Sequence, residues 1–277
     1  MKKTKKNQFR YAFAVNQPLA NNPKHQFAQN HALMLYRANA LYSFIPKNAC
    51  STLRFSLALE NGCIRDEKDI NWIHANNGTF RASLREAITA DYTFVVLRCP
   101  FRRLASVFLD KFVSKDVPSW QYIDAMGREI ALDDLTFYHF VNSLARPQIR
   151  NANIHWRPQV DFLLYEHYHD VFCVERFAQA ISKLEELLQF SVRDARPLTR
   201  HGLDQFSLLN HGSFANVPIK ELMVMKAEEK LPGIASLYDK AAYQAVATSY
   251  REDVALYRET CPDGELLALS DVVSGNG

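Results

Sequence analysis

Three short apolar runs alternate with helical patterns along this chain, and that alternation constrains the fold more than any other feature. The runs are residues 41–45, 93–97 and 171–174, rich in Leu, Phe, Val and Ile. Runs of this length and composition are typical of buried β-strands. Helices between successive strands cover both faces of a sheet, so the pattern predicts an α/β fold: a P-loop-like three-layer α/β/α arrangement around a central parallel sheet. Ligands of such sheets bind beyond the carboxyl ends of the strands.

The helices are predicted from apolar residues at helical spacing. One spans 51–60, and another begins at Pro100, where a proline's missing N–H costs nothing. A third, with Asp133 and Asp134 in its first turn, carries Phe137, Phe140, Val141 and Leu144. Further helices are expected after residue 174 and over 236–259. The stripe that follows Pro100 is the most regular: Phe101, Leu104, Ala105, Phe108, Leu109 and Phe112.

Neither a repeat nor a low-complexity linker interrupts the middle of the chain. Residues 1–38 are polar and rich in Asn, Gln and Lys, so we expect an irregular lead-in. A single domain is predicted over 39–260, followed by a tail at 261–277. The basic cluster in residues 1–6 reads as a solvated terminus.

Composition excludes several functional classes. The chain of 277 residues has a net charge of +3, which gives no electrostatic case for nucleic acid as a partner. No stretch approaches the ~18 apolar residues of a membrane span, so stable membrane insertion is not expected. The five cysteines are scattered and form no Cys-x-x-Cys pair. We therefore expect five reduced thiols, no zinc site and a cytoplasmic location.

A first anion-binding pattern follows the first predicted strand. The run Pro46-Lys47-Asn48-Ala49-Cys50-Ser51-Thr52 lies between that strand and a helix. Small residues there allow backbone N–H groups to converge on an anion, which the helix dipole also favours. Lys47 adds a positive charge, while Ser51 and Thr52 add hydroxyl donors. The glycines of a nucleoside triphosphate P-loop are absent.

A second pattern follows the second strand. Arg98 ends that strand, where a guanidinium can hold a phosphate through two hydrogen bonds. Arg102 and Ser106 lie four residues apart on one helix face, opposite the apolar stripe. Taken singly, each of these residues could equally be a solvated surface group.

Together the two patterns resemble the sulfotransferases that use 3′-phosphoadenosine 5′-phosphosulfate (PAPS). Lys47 with 48–52 resembles their 5′-phosphosulfate loop, and Arg98 with Ser106 matches the pair that holds the 3′-phosphate. The run Pro-Lys-x-Ala-Cys is similar to the carbohydrate sulfotransferase branch (family 2) that includes the chondroitin 4-O and HNK-1 enzymes. So is the pattern Arg-x-Pro-Phe-x-Arg-Leu-x-Ser-x-Phe-x-Asp-Lys-Phe that starts at Arg98. Weaker likenesses extend the resemblance over roughly 41–258: His155-Trp156, Glu175-Arg176-Phe177 and Tyr250-Arg251-Glu252-Asp253.

The chain departs from that branch in two places. Cys99 stands where the family usually has a helix-capping Asp, His or Asn, so we expect that helix to lack its cap. The Cys-x-x-Pro-Cys that often follows the His-Trp element is absent. These differences, together with the lack of a Golgi-type anchor, favour a bacterial relative.

The resemblance implies sulfuryl transfer from PAPS, without a metal, to a hydroxyl of a carbohydrate or glycoconjugate. Lys47 would act at the bridging oxygen beside the backbone of 48–52, and Arg98 and Ser106 would hold the 3′-phosphate, with Arg102 a weaker candidate. The acceptor hydroxyl needs a general base, for which His is the usual choice. His74 is slightly preferred over His155, which would then shape the pocket.

Other candidates stay open. Glu60 is a third possible base, and the polar segment 199–213, with His211 and Ser213, is expected to close over the nucleotide. Trp120, Tyr122 and Trp156 would stack on sugar rings or lie in the core. The rival functions are a P-loop-like kinase and a non-catalytic nucleotide-binding protein. Acceptor identity and oligomeric state are not predicted.

Overall fold

The computed structural model describes residues 7–13, 18–76, 78–199, 205–261 and 265–273. The strands are β1 Ala32–Leu35, β2 Ala40–Ser43, β3 Tyr92–Leu97, β4 Asp170–Cys173, β5 Ser207–Leu209 and β6 Lys230–Pro232. The α-helices are α1 Pro23–Asn30, α2 Cys50–Glu60, α3 Trp72–Ala75, α4 Leu84–Thr89, α5 Pro100–Val107, α6 Val117–Ala125, α7 Phe137–Ser143, α8 Pro147–Arg150, α9 Phe177–Leu188, α10 Ile219–Ala227, α11 Lys240–Ser249, α12 Arg251–Thr260 and α13 Leu269–Val273.

The chain divides into two compact units. The first, here called the sheet unit, comprises Met1–Leu97 and Gln159–Arg200. The second, here called the helical unit, comprises Arg98–Pro158 and His201–Gly277. The domain bounds predicted from the sequence stay a prediction.

The sheet unit contains a four-stranded sheet in the order β1-β2-β3-β4. β2, β3 and β4 are parallel, with Ala40 opposite Tyr92 and Phe94 opposite Asp170. β1 pairs antiparallel with β2 and forms one edge. The mostly parallel central sheet is the one that the alternation of strands and helices predicted.

Successive residues of β2 point to opposite faces of this sheet, and each face has its own core. Tyr42 packs in a cluster with Leu53 of α2 and Leu184 of α9. Leu41, on the other face, packs with Ala28 of α1 and with a residue of α4. Helices therefore cover both faces, and the predicted three-layer α/β/α fold is confirmed.

The helical unit is built around aromatic side chains. α5 continues directly into a π-helical segment, Phe108–Phe112, and all six residues of the predicted apolar stripe are buried. The Phe112 ring lies 4.6 Å from the Phe140 ring and 5.7 Å from the Trp156 ring, measured between centroids. β5 and β6 form a small parallel sheet in this unit.

The structure differs from the sequence prediction in the N-terminal segment, in the last predicted helix and at the start of α7. α1 and β1 lie in the segment that was expected to be irregular, and all four residues of β1 are buried. The helix predicted over 236–259 is two helices, α11 and α12, because Tyr250 leaves helical geometry at φ −115° and ψ 30°. Asp133 and Asp134 form a separate 3₁₀ turn, and α7 is capped instead by the hydroxyl of Thr136.

The five cysteines differ in whether they form disulfide bonds. Cys50, Cys63 and Cys99 are thiols, whereas Cys173 and Cys261 are disulfide-bonded. The expectation of five reduced thiols was therefore wrong for two of them, since their spacing in the sequence carries no pairing signal. The cytoplasmic location stays a prediction. Within the described ranges, no helix has both the length and the apolarity needed to cross a bilayer.

Candidate functional site

The loop after β2 has an unusual backbone. Lys47 and Ala49 both have positive φ, at 71° and 55°, although neither is glycine. A side chain in the left-handed region costs about 1–2 kcal/mol per residue. Strain of this kind persists only where the surroundings fix it, and it concentrates at binding sites. An alternation of left-handed and right-handed residues turns successive N–H groups toward one concavity, which suits an anion.

The helix that follows begins without a side-chain cap. Ala49 is the N-cap residue of α2, and its methyl group cannot accept a hydrogen bond. The first intrahelical bond runs from Leu53 N to Ala49 O, at 3.1 Å. The N–H groups of Cys50, Ser51 and Thr52 therefore have no acceptor inside the helix. The helix begins three residues after Lys47, so this open end concentrates positive charge and hydrogen-bond donors.

Two side chains of the predicted loop connect it by hydrogen bonds to other parts of the chain. Asn48 is fully buried, and its Nδ2 donates to Val96 O at 2.9 Å and to Gln159 Oε1 at 2.6 Å. Thr52 Oγ1 accepts from Ala195 N at 3.2 Å. These two groups anchor the loop, whereas Lys47, Ala49, Cys50 and Ser51 are half-buried.

The same unit contains two of the predicted base candidates. His74 is exposed on α3, a single helical turn. Glu60, at the end of α2, pairs with Arg37 at 3.1 Å.

The helical unit begins with the second predicted motif. Arg98 directly follows the last residue of β3 and is half-buried. Cys99 is the N-cap residue of α5 and makes no capping bond, as its identity predicted. Its Sγ instead accepts from Leu267 N at 3.4 Å. Pro100 occupies the first turn of α5, as predicted.

Arg102 and Ser106 share one face of α5. The Nε of Arg102 is buried and has no hydrogen-bond partner among the residues described. Ser106 is 8% exposed, and its hydroxyl makes no hydrogen bond to the residues that the structure describes. A guanidinium and a hydroxyl in this state are suited to a bound phosphate.

His155 is held in a defined tautomer. Its Nδ1 lies 2.7 Å from Asn153 Oδ1, which also accepts from the backbone N of His155 at 2.9 Å. The amide of Asn153 is oriented in turn, because its Nδ2 donates to Gln121 Oε1 at 2.6 Å. Since Oδ1 can only accept, Nδ1 bears the proton of the neutral ring and Nε2 is the basic nitrogen.

The segment around His155 is fixed by two residues to which the sequence analysis assigned no role. Arg103 is 1% exposed and donates to Arg157 O at 2.8 Å and to Ile154 O at 3.3 Å. The hydroxyl of Tyr250, at the break between α11 and α12, donates to Trp156 O. The pattern noted at Tyr250 is thus structural, and so is Arg103 within the pattern that starts at Arg98.

The aromatic candidates separate into core and surface. Trp156 is fully buried and donates from Nε1 to Ile149 O at 2.8 Å. Tyr122 is also fully buried, its hydroxyl lies 2.9 Å from Ser143 Oγ, and burial raises its pKa to about 12. Of the two predicted alternatives, Trp156 and Tyr122 therefore lie in the core and do not stack on sugar rings. Trp120 is exposed. His211 and Ser213 are exposed, while residues 200–204 of their segment lie outside the described residues.

The donor set of both motifs is cationic and hydrogen-donating, which fits a phosphorylated ligand. In the described part of the chain, no three His, Cys, Asp or Glu residues are grouped so that they could hold a metal ion.

Comparison with known proteins gives a consistent result. The model of the sulfotransferase family matches residues 30–258. Carbohydrate sulfotransferase 14 of Mus musculus is 27% identical over 144 residues, and that of Homo sapiens is 28% identical over 145 residues. Each match covers 46% of this chain and 38% of the relative, so the matched part spans well under half of either relative. No solved structure matches the chain significantly.

Proposed function

This chain belongs to the sulfotransferase family, and from that premise we propose that it transfers a sulfuryl group from PAPS to a hydroxyl of a carbohydrate or glycoconjugate. The carbohydrate acceptor is suggested by the two relatives, which are named as carbohydrate sulfotransferases.

The observation that carries the proposal is the open N-terminus of α2. A strained turn at Lys47 and Ala49 leads into a helix whose first N–H groups have no side-chain cap. Both features cost stability in the absence of a ligand, and both favour an anion. We assign the 5′-phosphosulfate to this loop.

The 3′-phosphate is assigned to the helical unit. Arg98 offers a guanidinium with two parallel donors, and Ser106 offers a hydroxyl that makes no bond to the described residues. Arg102 is a third ligand, because its buried Nε makes no hydrogen bond within the described ranges.

When bound, PAPS supplies the sulfuryl group for in-line displacement by the acceptor oxygen. Lys47 stabilises the negative charge that develops on the bridging oxygen as the bond to sulfur breaks. The N–H groups of residues 50–52 are already oriented, so they stabilise that charge without reorganisation. These residues position the donor and stabilise the charge that develops on it.

For the general base we propose His155 in place of His74. The hydrogen bond from its Nδ1 to Asn153 leaves Nε2 as the proton-accepting nitrogen. His74, by contrast, is exposed on a four-residue helix.

The base assignment is tested by measuring transfer of labelled sulfuryl from PAPS to a glycan panel. His155→Asn is expected to lower kcat by about 10²–10⁴-fold, the usual contribution of a general base. His74→Asn is expected to retain wild-type kcat. The reverse result would make His74 the base.

The donor assignment is tested by calorimetric titration with 3′-phosphoadenosine 5′-phosphate, without metal and beside ATP. We expect tight binding of the bisphosphate, strong weakening in Arg98→Ala, and no comparable binding of ATP. Arg128→Ala is the matched control, since Arg128 is an exposed arginine of the same unit that pairs with Asp124. Magnesium-dependent binding of ATP in preference to the bisphosphate would overturn the proposal and favour a kinase. Binding without any transfer would favour the non-catalytic alternative.

A further inference from the structure

A buried arginine lies one turn into the helix that begins at the phosphate loop. Arg54 is 9% exposed, and its Cζ lies 5.1 Å from the centroid of the Phe44 ring. Its Nη2 is buried and has no hydrogen-bond partner in the described part of the chain. Burial lowers the pKa of Arg54, and the groups that oppose this shift are Cys50 and Tyr42, with no carboxylate among them.

The contacts inside the protein do not offset the cost of burying this charge. Arginine stays protonated in proteins, so the charge is not lost by titration. A cation over an aromatic ring contributes about 0.5–2 kcal/mol. The effective penalty for burying an ion is several kcal/mol, and an unsatisfied donor adds to it. A buried charge that lacks a counter-ion among the described residues points to a ligand that supplies one.

The position of Arg54 indicates where that ligand binds. Arg54 and Cys50 are four residues apart and therefore lie on the same face of α2. Helical side chains lean toward the helix N-terminus, which brings the guanidinium back toward the open end. Phe44, beneath the guanidinium, lies in the stretch that leads from β2 into the loop. Arg54 thus borders the same segment, residues 44–50, as the uncapped N–H groups.

We propose that Arg54 is a binding residue for the anionic 5′ group of the donor. This rests on the proposed function, and it adds to the loop a side chain that lies outside the run 47–52. The role differs from that of Lys47: Arg54 strengthens binding of the 5′ group in the ground state, so its loss raises KM for the donor more than it lowers kcat.

The test compares two nucleotides that differ only at the 5′ position. Affinities for 3′-phosphoadenosine 5′-phosphate and for adenosine 3′-monophosphate are measured for wild type, Arg54→Met, Arg54→Lys and Arg37→Met. Methionine retains the packing over Phe44 and removes the charge. Arg37→Met is the control for charge loss in the same unit, since the Arg37 side chain is 65% exposed.

We expect Arg54→Met to weaken binding of the 5′-phosphate nucleotide by about tenfold to a hundredfold, as for a lost charge-assisted hydrogen bond. Its affinity for adenosine 3′-monophosphate should equal that of wild type. The affinity of Arg54→Lys for the 5′-phosphate nucleotide should lie between those of wild type and Arg54→Met. Arg37→Met should bind both nucleotides with wild-type affinity. If Arg54→Met does not fold, as judged by its melting curve, the lysine variant decides through the same selective loss.

Equal weakening for both nucleotides, or wild-type affinity in the folded Arg54 variants, would overturn the role of Arg54 and leave the proposed function standing. Failure of the wild-type protein to bind the 5′-phosphate nucleotide would overturn both proposals.

Discussion

Two helices of the sheet unit begin in opposite ways. At α4, Ser83 Oγ accepts from Glu86 N at 3.2 Å, and Glu86 Oε2 accepts from Ser83 N at 2.7 Å. This capping box satisfies the helix end with its own side chains. At α2, the corresponding position is Ala49, which has a left-handed backbone and no group to offer.

The difference shows how the two helices obtain their stability. α4 has six residues and depends on its ends, whereas α2 has eleven and buries Leu53 and Leu57 completely. Packing can sustain a helix whose end is unsatisfied, because most helical stability in proteins comes from burial of an apolar face. The open end of α2 is thus supported by its core and stays available for a ligand.

The largest expected effect is at Lys47. Lys47→Met removes the charge beside the open end and should lower kcat for sulfuryl transfer by about 10²–10³-fold, as for the loss of one preorganised oxyanion donor. Lys68→Met is the control, since Lys68 is an exposed lysine of the same unit. A kcat for Lys47→Met within threefold, roughly, of wild type would contradict the assignment.

A cap placed on α2 should make it resemble α4. Ala49→Asp puts an acceptor and a negative charge at the helix end, where it competes with the donor. We expect calorimetric affinity for 3′-phosphoadenosine 5′-phosphate to fall by about tenfold to a hundredfold, from repulsion of about 1–4 kcal/mol between nearby like charges. The melting temperature should not fall, because aspartate tolerates the left-handed backbone of this position better than alanine does. Unchanged affinity would mean that the anion binds elsewhere.

Removing the cap of α4 should affect stability alone. Ser83→Ala is expected to lower the free energy of unfolding by ~1 kcal/mol, or ~2–4 °C in melting temperature for a chain of this size. Nucleotide affinity should not change. If Ser83→Ala also lost affinity for the nucleotide, the start of α4 would be coupled to the start of α2. That result would contradict the difference between the two helices.

The smallest effect is expected at α1, a third helix start, which Asn22 caps by accepting from Lys24 N and His25 N. Burial lowers the pKa of His25 below its ordinary value of 6.5, and Gln29 opposes this shift. The unfolded chain therefore binds more protons than the folded chain, so stability is full above pH 6.5 and falls as the pH decreases. We expect the free energy of unfolding to decline less steeply between pH 7 and pH 5 in His25→Gln. The same pH dependence of the free energy of unfolding in wild type and His25→Gln would contradict this contribution of His25.

The sequence predicted those elements whose signal is local. β2, β3 and α2 are marked by apolar runs or stripes and were found with bounds within two residues of the prediction, and α5 begins at Pro100, as predicted. β1 was missed because it has four residues and packs against residues distant in the sequence, such as Ala82 and Leu164.

Parts of the site could not be predicted for a related reason. The positive φ of Lys47 and Ala49 carries no sequence signal, since glycine is the residue that usually marks such positions. Arg54 and Arg103 are charged residues, which are expected at the surface until the fold encloses them. The hydrogen bond that sets the tautomer of His155 depends on the orientation of Asn153, which depends in turn on Gln121, a residue of another helix.

The absence of glycine from the loop after β2 has a consequence for the kinetics of binding. A glycine-rich loop loses much conformational entropy when it closes on a ligand. Here Lys47 and Ala49 have narrower backbone freedom, and the buried amide of Asn48 ties their segment to Val96 and Gln159. Little remains to be ordered on binding, so the association rate of the nucleotide should rise linearly with its concentration, without the plateau that a slow closure of the loop would impose.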